Sequence, residues 1–365
     1  MENFSINAPI NSVSFGQVTL ALLREIFSRG LEPCLFPIAD QIDLSSEDNV
    51  SEEFRFWLKS CIEKRHKHHS RENPSIKLWH INGSLESVSK KQLLFTFHET
   101  DTCTEEEVNI CKNNNECVFS SEYSKNIFAQ EKVDCSNIDL GFDSHNFKQK
   151  DGAYIKDKIV FNLCGKLEKR KNHAHVIRHW LKKYGNQKDY VLQIAVNNPF
   201  LKKEKFYQIL NEILEGKSYF NINILPEMKK NSVYNDFLNS GNIILGMSGA
   251  EGWGLPEFQS VAIGKHSVIL NATGYKQWTN EKNSVLVEPS GKQPIYDNTF
   301  FKEGGQFNQG NMFVFEEDSF IEGCEKAIER YKNKSLNEEG LKIQKDFPVS
   351  RTVDLLLEKI NKCNA

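Results

Sequence analysis

The sequence predicts an α/β protein made of two doubly wound halves that face each other across a cleft. Three observations predict it. Short runs rich in β-branched and aromatic residues alternate with helical periodicities, the pattern of α/β units around a parallel sheet. The alternation breaks once, in a polar stretch from Gly141 to Lys156, and then restarts. The chain has 365 residues, enough for about two domains of ordinary size. The expected division is 1–150, 151–345 and a terminal helix over 346–365 that packs back toward the first half.

In the first half, strands are expected over Phe4–Ala8, Cys34–Ile38, Ile76–Ile81, Leu93–Phe97 and Glu116–Phe119. Helices are expected over Val18–Ser28, Glu52–Arg65, Glu105–Lys112 and Glu122–Gln130. In Val18–Ser28 the apolar positions Val18, Leu22, Leu23, Ile26 and Phe27 share one face, and Gly30 stops the helix. The second half repeats the theme. Strands are expected over Lys158–Leu163, Val191–Val196, Asn221–Leu225, Ile243–Gly246 and His266–Leu270. Helices are expected over His173–Lys183, Glu204–Leu214, Ser232–Leu238, Pro256–Ala262, Phe320–Tyr331 and Val353–Ile360. Residues 291–315 fit no pattern.

Composition excludes several classes. Lys plus Arg is 46 against 49 for Asp plus Glu, which argues against a chain that coats nucleic acid by charge alone. No apolar run approaches the length of a membrane span. The opening Met1-Glu2-Asn3-Phe4 lacks the features of a signal peptide, and nine scattered cysteines without a CxxC read as reduced thiols. A cytoplasmic protein is expected. Cys103, Cys111 and Cys117 lack zinc-type spacing, and no metal is expected.

The most informative stretch runs from Ile243 to Val268. A buried strand enters a Gly-rich loop, then a helix with Pro256 in its first turn, where a missing N–H costs nothing. Gly249, Gly252 and Gly254 suggest close backbone approach by a ligand, and the helix start favours an anion. Ser248, Glu251, Gly252, Trp253, Gly254, Leu255, Pro256, Ala262, Gly264 and Val268 resemble the C-terminal donor motif of retaining GT-B glycosyltransferases, family 4 type. The resemblance implies two Rossmann-like domains. It also implies that Glu251 contacts the donor sugar and that Gly252, Trp253, Gly254 and Leu255 help to hold the donor. The family's second glutamate, which grips the ribose, is replaced by Gln259. An amide can accept one hydroxyl and donate to another, but without full negative charge.

Gly165, Lys166, Leu167 and Lys171 resemble the family's segment at the start of the second domain. There the resemblance makes Lys166 and Lys171 the cations that hold the diphosphate and stabilise charge on the leaving group. In the first half, Gly16 matches the first loop near the diphosphate, and His98 matches a histidine that faces the donor sugar. The implied activity is metal-independent, retaining transfer of a sugar, a hexose by this resemblance, from a nucleotide-diphosphate sugar to an acceptor hydroxyl. His98, Glu251 and Lys171 would be the catalytic residues. That sugar is a substrate, and no further cofactor is expected. The acceptor could be a glycan, a lipid-linked sugar, a protein or a modified nucleic acid. The alternative is a non-catalytic nucleotide-sugar-binding or scaffolding protein of the same fold.

Residues 52–71 have two readings. Phe54, Trp57, Leu58, Cys61 and Ile62 form an apolar stripe, and the end carries Lys64, Arg65, Lys67 and Arg71. One reading is a core-packed helix whose basic end is favoured by its dipole. The other is functional: an anionic membrane surface to which the protein is peripheral, a nucleic-acid acceptor, or a Cys61/His metal site.

Overall fold

The computed structural model describes residues 3–150 and 155–364. Among these residues two six-stranded, wholly parallel sheets carry the architecture. The first holds Ser5–Ile10 (β1), Cys34–Ile42 (β2), Ser75–Leu78 (β3), Gln92–Thr96 (β4), Glu116–Phe119 (β5) and Cys135–Asn137 (β6), in the order β2-β1-β3-β4-β5-β6. The second holds Ile159–Lys166 (β7), Tyr190–Asn197 (β8), Ile222–Ile224 (β9), Ile243–Gly246 (β10), His266–Leu270 (β11) and Val285–Val287 (β12), in the order β12-β11-β10-β7-β8-β9. A hairpin of Gly291–Pro294 (β13) and Asn311–Val314 (β14) lies in the stretch where the sequence shows no pattern.

The central strands are apolar runs because helices cover both sheet faces. β4 and β10 are buried at every residue. The expected elements are all present, some to the residue and the others with shifted ends. The sequence pattern misses β6 and β12, each three residues long, and the hairpin, whose Gly291-Lys-Gln-Pro strand is largely exposed.

The polar stretch after Gly141, which joins the two halves, is packed where it is described. Phe142 and Phe147 are buried, and the amides of Lys148 and Lys150 donate to Asn235 and Asn239 of the helix Asn231–Ser240 at 3.1 and 2.8 Å. Its residues 151–154 lie outside the described residues. The glycines of the Gly-rich loop do not leave open space. A Cβ on Gly249 would meet the Phe313 carbonyl, one on Gly252 would meet Phe97, and one on Gly254, at φ 84°, would strike the Tyr275 ring.

The C-terminal helix Val349–Asn364 lies along the first helix, Ser14–Ser28. Val353, Leu356 and Leu357 pack toward Leu22, Leu23 and Ile26, and Arg29 pairs with Asp354 at 2.5 Å. The halves also meet directly. Asp48 accepts from both the amide and the hydroxyl of Ser232 at 2.7 Å, and Ser120 donates to the Gly252 carbonyl at 2.8 Å. Among the described residues no helix is long and apolar enough to cross a membrane.

Candidate active site

In each sheet the strand order reverses once, between β1 and β3 in the first and between β7 and β10 in the second. Loops diverge at such a reversal and open a crevice at the carboxyl edge of the sheet. The loops that leave β7 and β10 carry the motifs of the second half.

These two loops are stitched together. Asn172 sits in the left-handed region at φ 56°, which asparagine tolerates. Its amide donates to the carbonyls of Met247 and Phe313 at 2.9 and 3.2 Å. The Arg170 carbonyl accepts from the Gly249 amide at 2.8 Å and from the Ser248 hydroxyl at 3.1 Å. Arg170 and Lys171 are thereby pressed against Glu251.

The result is a cluster of three cations and three carboxylates. Lys171 Nζ pairs with Glu251 Oε1. Arg170 reaches Glu168 at 2.8 Å, Glu99 at 2.9 Å and Glu251 at 3.5 Å, and donates to the Ala250 carbonyl at 2.6 Å. Lys166 pairs with Glu168 at 2.6 Å. Burial pushes the Glu251 carboxyl up, but Lys171 and Arg170 outweigh it and hold the group below its ordinary range. Burial also opposes the charge on Arg170, and Glu99, Glu168 and Glu251 more than restore it.

Of the residues singled out from the sequence, the structure brings together Lys166, Lys171, Glu251 and Gly252. The Gly252 carbonyl accepts from Ser120 of the first half. His98 is buried at the exit of β4. Its Nε2 lies 2.9 Å from the Thr102 carbonyl, which requires Nε2 to carry the proton and leaves Nδ1 as the acceptor. Its ring meets Phe128 edge-on, and burial above all holds the imidazole neutral. Leu255 is half-buried and opens the helix Leu255–Ala262. Gln259 is buried in that helix, and its side chain makes no hydrogen bond among the described residues.

Trp253 is buried and packs edge-on to Phe258 and Phe347. A Cβ on Gly16 would collide with Asn11.

Sequence reasoning misses Arg170, Glu168 and Glu99, which look like solvated charges in a polar run. It also misses Glu257. That side chain lies against Gly246 at the end of β10, and burial pushes its carboxyl up to about 7. The hairpin is the other omission. Asp101 accepts from Lys292 at 2.8 Å and from the Asn311 amide at 2.7 Å, while Lys169 donates to the Pro294 carbonyl at 2.7 Å. The segment thus straps the two halves together. It lays Phe300 4.3 Å from Lys166 and Phe301 5.9 Å from Arg170.

Other expectations resolve more simply. Phe54, Trp57, Leu58 and Cys61 pack into the core. Arg65 pairs with Asp40 at 2.7 Å and Lys64 donates to the Glu32 carbonyl, while Lys67 and Arg71 are exposed. All nine cysteines are free thiols. Among the described residues no group of three or more His, Cys, Asp or Glu side chains is placed to hold a metal ion.

No protein-family model matches the sequence, and no curated protein matches it. Solved structures do match, over nearly the whole chain. A sucrose-phosphate synthase from Thermosynechococcus elongatus aligns over 99% of both chains at 10% identity and a TM-score of 0.66. Anabaena HepE in complex with UDP-glucose aligns over 99% of this chain and 100% of its own, at 12% identity and a TM-score of 0.67. A glycosyltransferase from Rickettsia africae aligns over 99% and 98%, at 13% identity and a TM-score of 0.68. The likeness shows the fold: two Rossmann-like domains in the GT-B arrangement.

Proposed function

We propose that this chain is a retaining glycosyltransferase that moves a sugar from a nucleotide-diphosphate sugar to an acceptor hydroxyl without a metal ion. The observation that carries the reading is the cluster of Lys166, Arg170, Lys171 and Glu251 at the reversal of the second sheet. That is where a doubly wound sheet binds its ligand. The Anabaena structure of the same fold was solved with UDP-glucose, and a starch synthase from Arabidopsis thaliana was solved with ADP and acarbose.

In this reading the bond from the sugar's anomeric carbon to the phosphate oxygen breaks. A new bond forms to the acceptor oxygen on the same face, and the acceptor proton passes to the departing phosphate. Lys171 and Lys166 stabilise the charge that grows on the diphosphate, and Arg170 keeps Glu251 in place. A fixed cation at a developing charge acts most strongly where water is scarce. Glu251 and the neutral Nδ1 of His98 accept from sugar hydroxyls. Because all three cations are paired with carboxylates, an incoming diphosphate has to replace those partners.

Incubation with UDP-, ADP- and GDP-sugars tests the reading. Release of nucleotide diphosphate, slow without acceptor and unaffected by EDTA, is the expected result. Binding of a nucleotide sugar without any turnover would instead leave a non-catalytic binding protein. Loss of turnover on chelation, restored by Mn²⁺, would remove the metal-independent mechanism.

A further inference from the structure

The reversal of the first sheet faces that of the second, and its loops carry a different chemistry. The residues that follow β3 are Trp79 and His80. His80 packs 4.5 Å from Phe15 and 5.0 Å from Trp79, and Phe15 stacks on Phe97 at 4.2 Å. Phe97 in turn backs onto Gly252 of the opposite half. His80, Trp79 and Phe97 are all at least partly exposed. They form an aromatic wall across from the cation cluster.

His80 differs from His98 in one respect that matters. His98 has committed Nε2 to a carbonyl. The His80 ring enters no hydrogen bond among the described residues, although its backbone carbonyl accepts from Gly83. An imidazole held between aromatic rings, open to a cleft and without a polar partner, has one donor and one acceptor to offer. The enclosing walls first, and the charge of Lys166 second, push it down to about 4. It is therefore neutral near pH 7 and brings no charge to repel or attract the diphosphate.

We propose that His80 is a specificity-determining residue for this site: it hydrogen-bonds a hydroxyl of a pyranose ring that lies on the Trp79–Phe97 wall. The inference rests on the glycosyltransferase reading and adds to it a second residue, besides His98, by which the first half recognises sugar. Aromatic faces suit the apolar C–H face of a pyranose, and a neutral donor and acceptor suits its rim of hydroxyls. The ring could belong to the donor or to the acceptor, since both must meet between the two walls.

Calorimetry separates these sources. Wild type, His80→Ala and His80→Gln are titrated with UDP, ADP and GDP, with the matching glucose donors, and with maltose in the presence of saturating diphosphate. In His80→Ala, affinity for the diphosphate should stay within twofold of wild type. Affinity should fall about fivefold either for the nucleotide sugar, which assigns the donor, or for maltose, which assigns the acceptor. His80→Gln, which keeps a donor and an acceptor, should recover part of the loss. Unchanged affinity for both sugars overturns the proposal, as does an equal loss for the bare diphosphate. A wild-type protein that binds no nucleotide at all removes the glycosyltransferase reading, and this inference with it.

Discussion

The two carboxyl edges that face each other across the cleft are built from opposite materials. The first presents Phe15, Trp79, His80 and Phe97, whose one titratable ring is neutral and without a polar partner. The second presents Lys166, Arg170 and Lys171, each already paired with Glu168, Glu99 or Glu251. Aromatic side chains can wait for a ligand at little cost. Buried charges cannot, because an unpaired one carries a desolvation penalty of several kcal/mol. The cations of the second edge are therefore paired in advance, by Glu168 and Glu251 of that edge and by Glu99 of the first half, and on the proposed function a diphosphate binds by exchange rather than by filling a vacancy.

The largest expected effect breaks the charged edge. Lys171→Ala should lower turnover by about 10²–10³, the usual effect of removing one stabiliser of a developing charge. The chain should still fold, because Arg170 remains 3.5 Å from Glu251. Steady-state rates with the best donor, alongside a thermal melt, check this. A folded variant with a wild-type rate would show that Lys171 serves only to neutralise Glu251.

The second effect is on stability and belongs to the charged edge alone. Glu257 is buried, its Oε2 has no partner, and its folded value of about 7 lies above the roughly 4.3 of an unfolded glutamate. The folded state then holds the extra proton. Its contribution is complete below about pH 4.3 and is lost as pH rises through 7. Glu257→Gln should remove this loss. Relative to wild type, the variant should gain on the order of 1–3 kcal/mol between pH 5 and pH 8. Denaturant melts at the two pH values measure the gain, and a difference that does not change with pH would mean the carboxyl is solvated.

The same contrast decides what could be read in the sequence. Sheet and helix positions follow from apolar periodicity, which is local, so Glu105–Lys112, Glu116–Phe119, Glu122–Gln130 and Ile243–Gly246 are predicted to the residue. Lys171 and Glu251 are legible because each sits in a motif with fixed spacing. Arg170 is not, because a basic run such as Lys169-Arg-Lys171 gives no sign of which side chain turns inward. The loop's inward turn is set by Asn172 bonding across to Met247 and Phe313. The aromatic wall is harder still. Phe15, His80 and Phe97 are far apart in the chain and meet only because β1, β3 and β4 are neighbours.

Gln259 sharpens the comparison from the nucleotide end. Its amide is unpartnered, and we expect it to meet the ribose through a neutral hydrogen bond. Gln259→Glu should tighten binding of the best nucleotide diphosphate by on the order of 1 kcal/mol, about fivefold in Kd. Gln259→Leu should weaken it. If both variants titrate like wild type, the residue does not face the ribose.

The smallest effect concerns the strap that crosses between the edges. Lys166 Nζ lies 4.3 Å from the centroid of Phe300 and 5.4 Å from that of Phe200, besides its 2.6 Å pair with Glu168. A cation over an aromatic face gains about 0.5–1 kcal/mol at an accessible site. A diphosphate that draws Lys166 off the ring has to overcome that gain. Phe300 is half-buried, so Phe300→Ala should leave the fold intact. It should tighten diphosphate binding by about two- to fivefold. The gain should shrink as salt is added, because Lys166 is partly exposed and its attraction for phosphate is screened. Calorimetric titration at two ionic strengths checks both parts. Unchanged affinity would show that Lys166 stays under the ring when nucleotide binds. Weaker binding would show that Phe300 itself touches the nucleotide, and the aromatic chemistry of the first edge would then extend into the second.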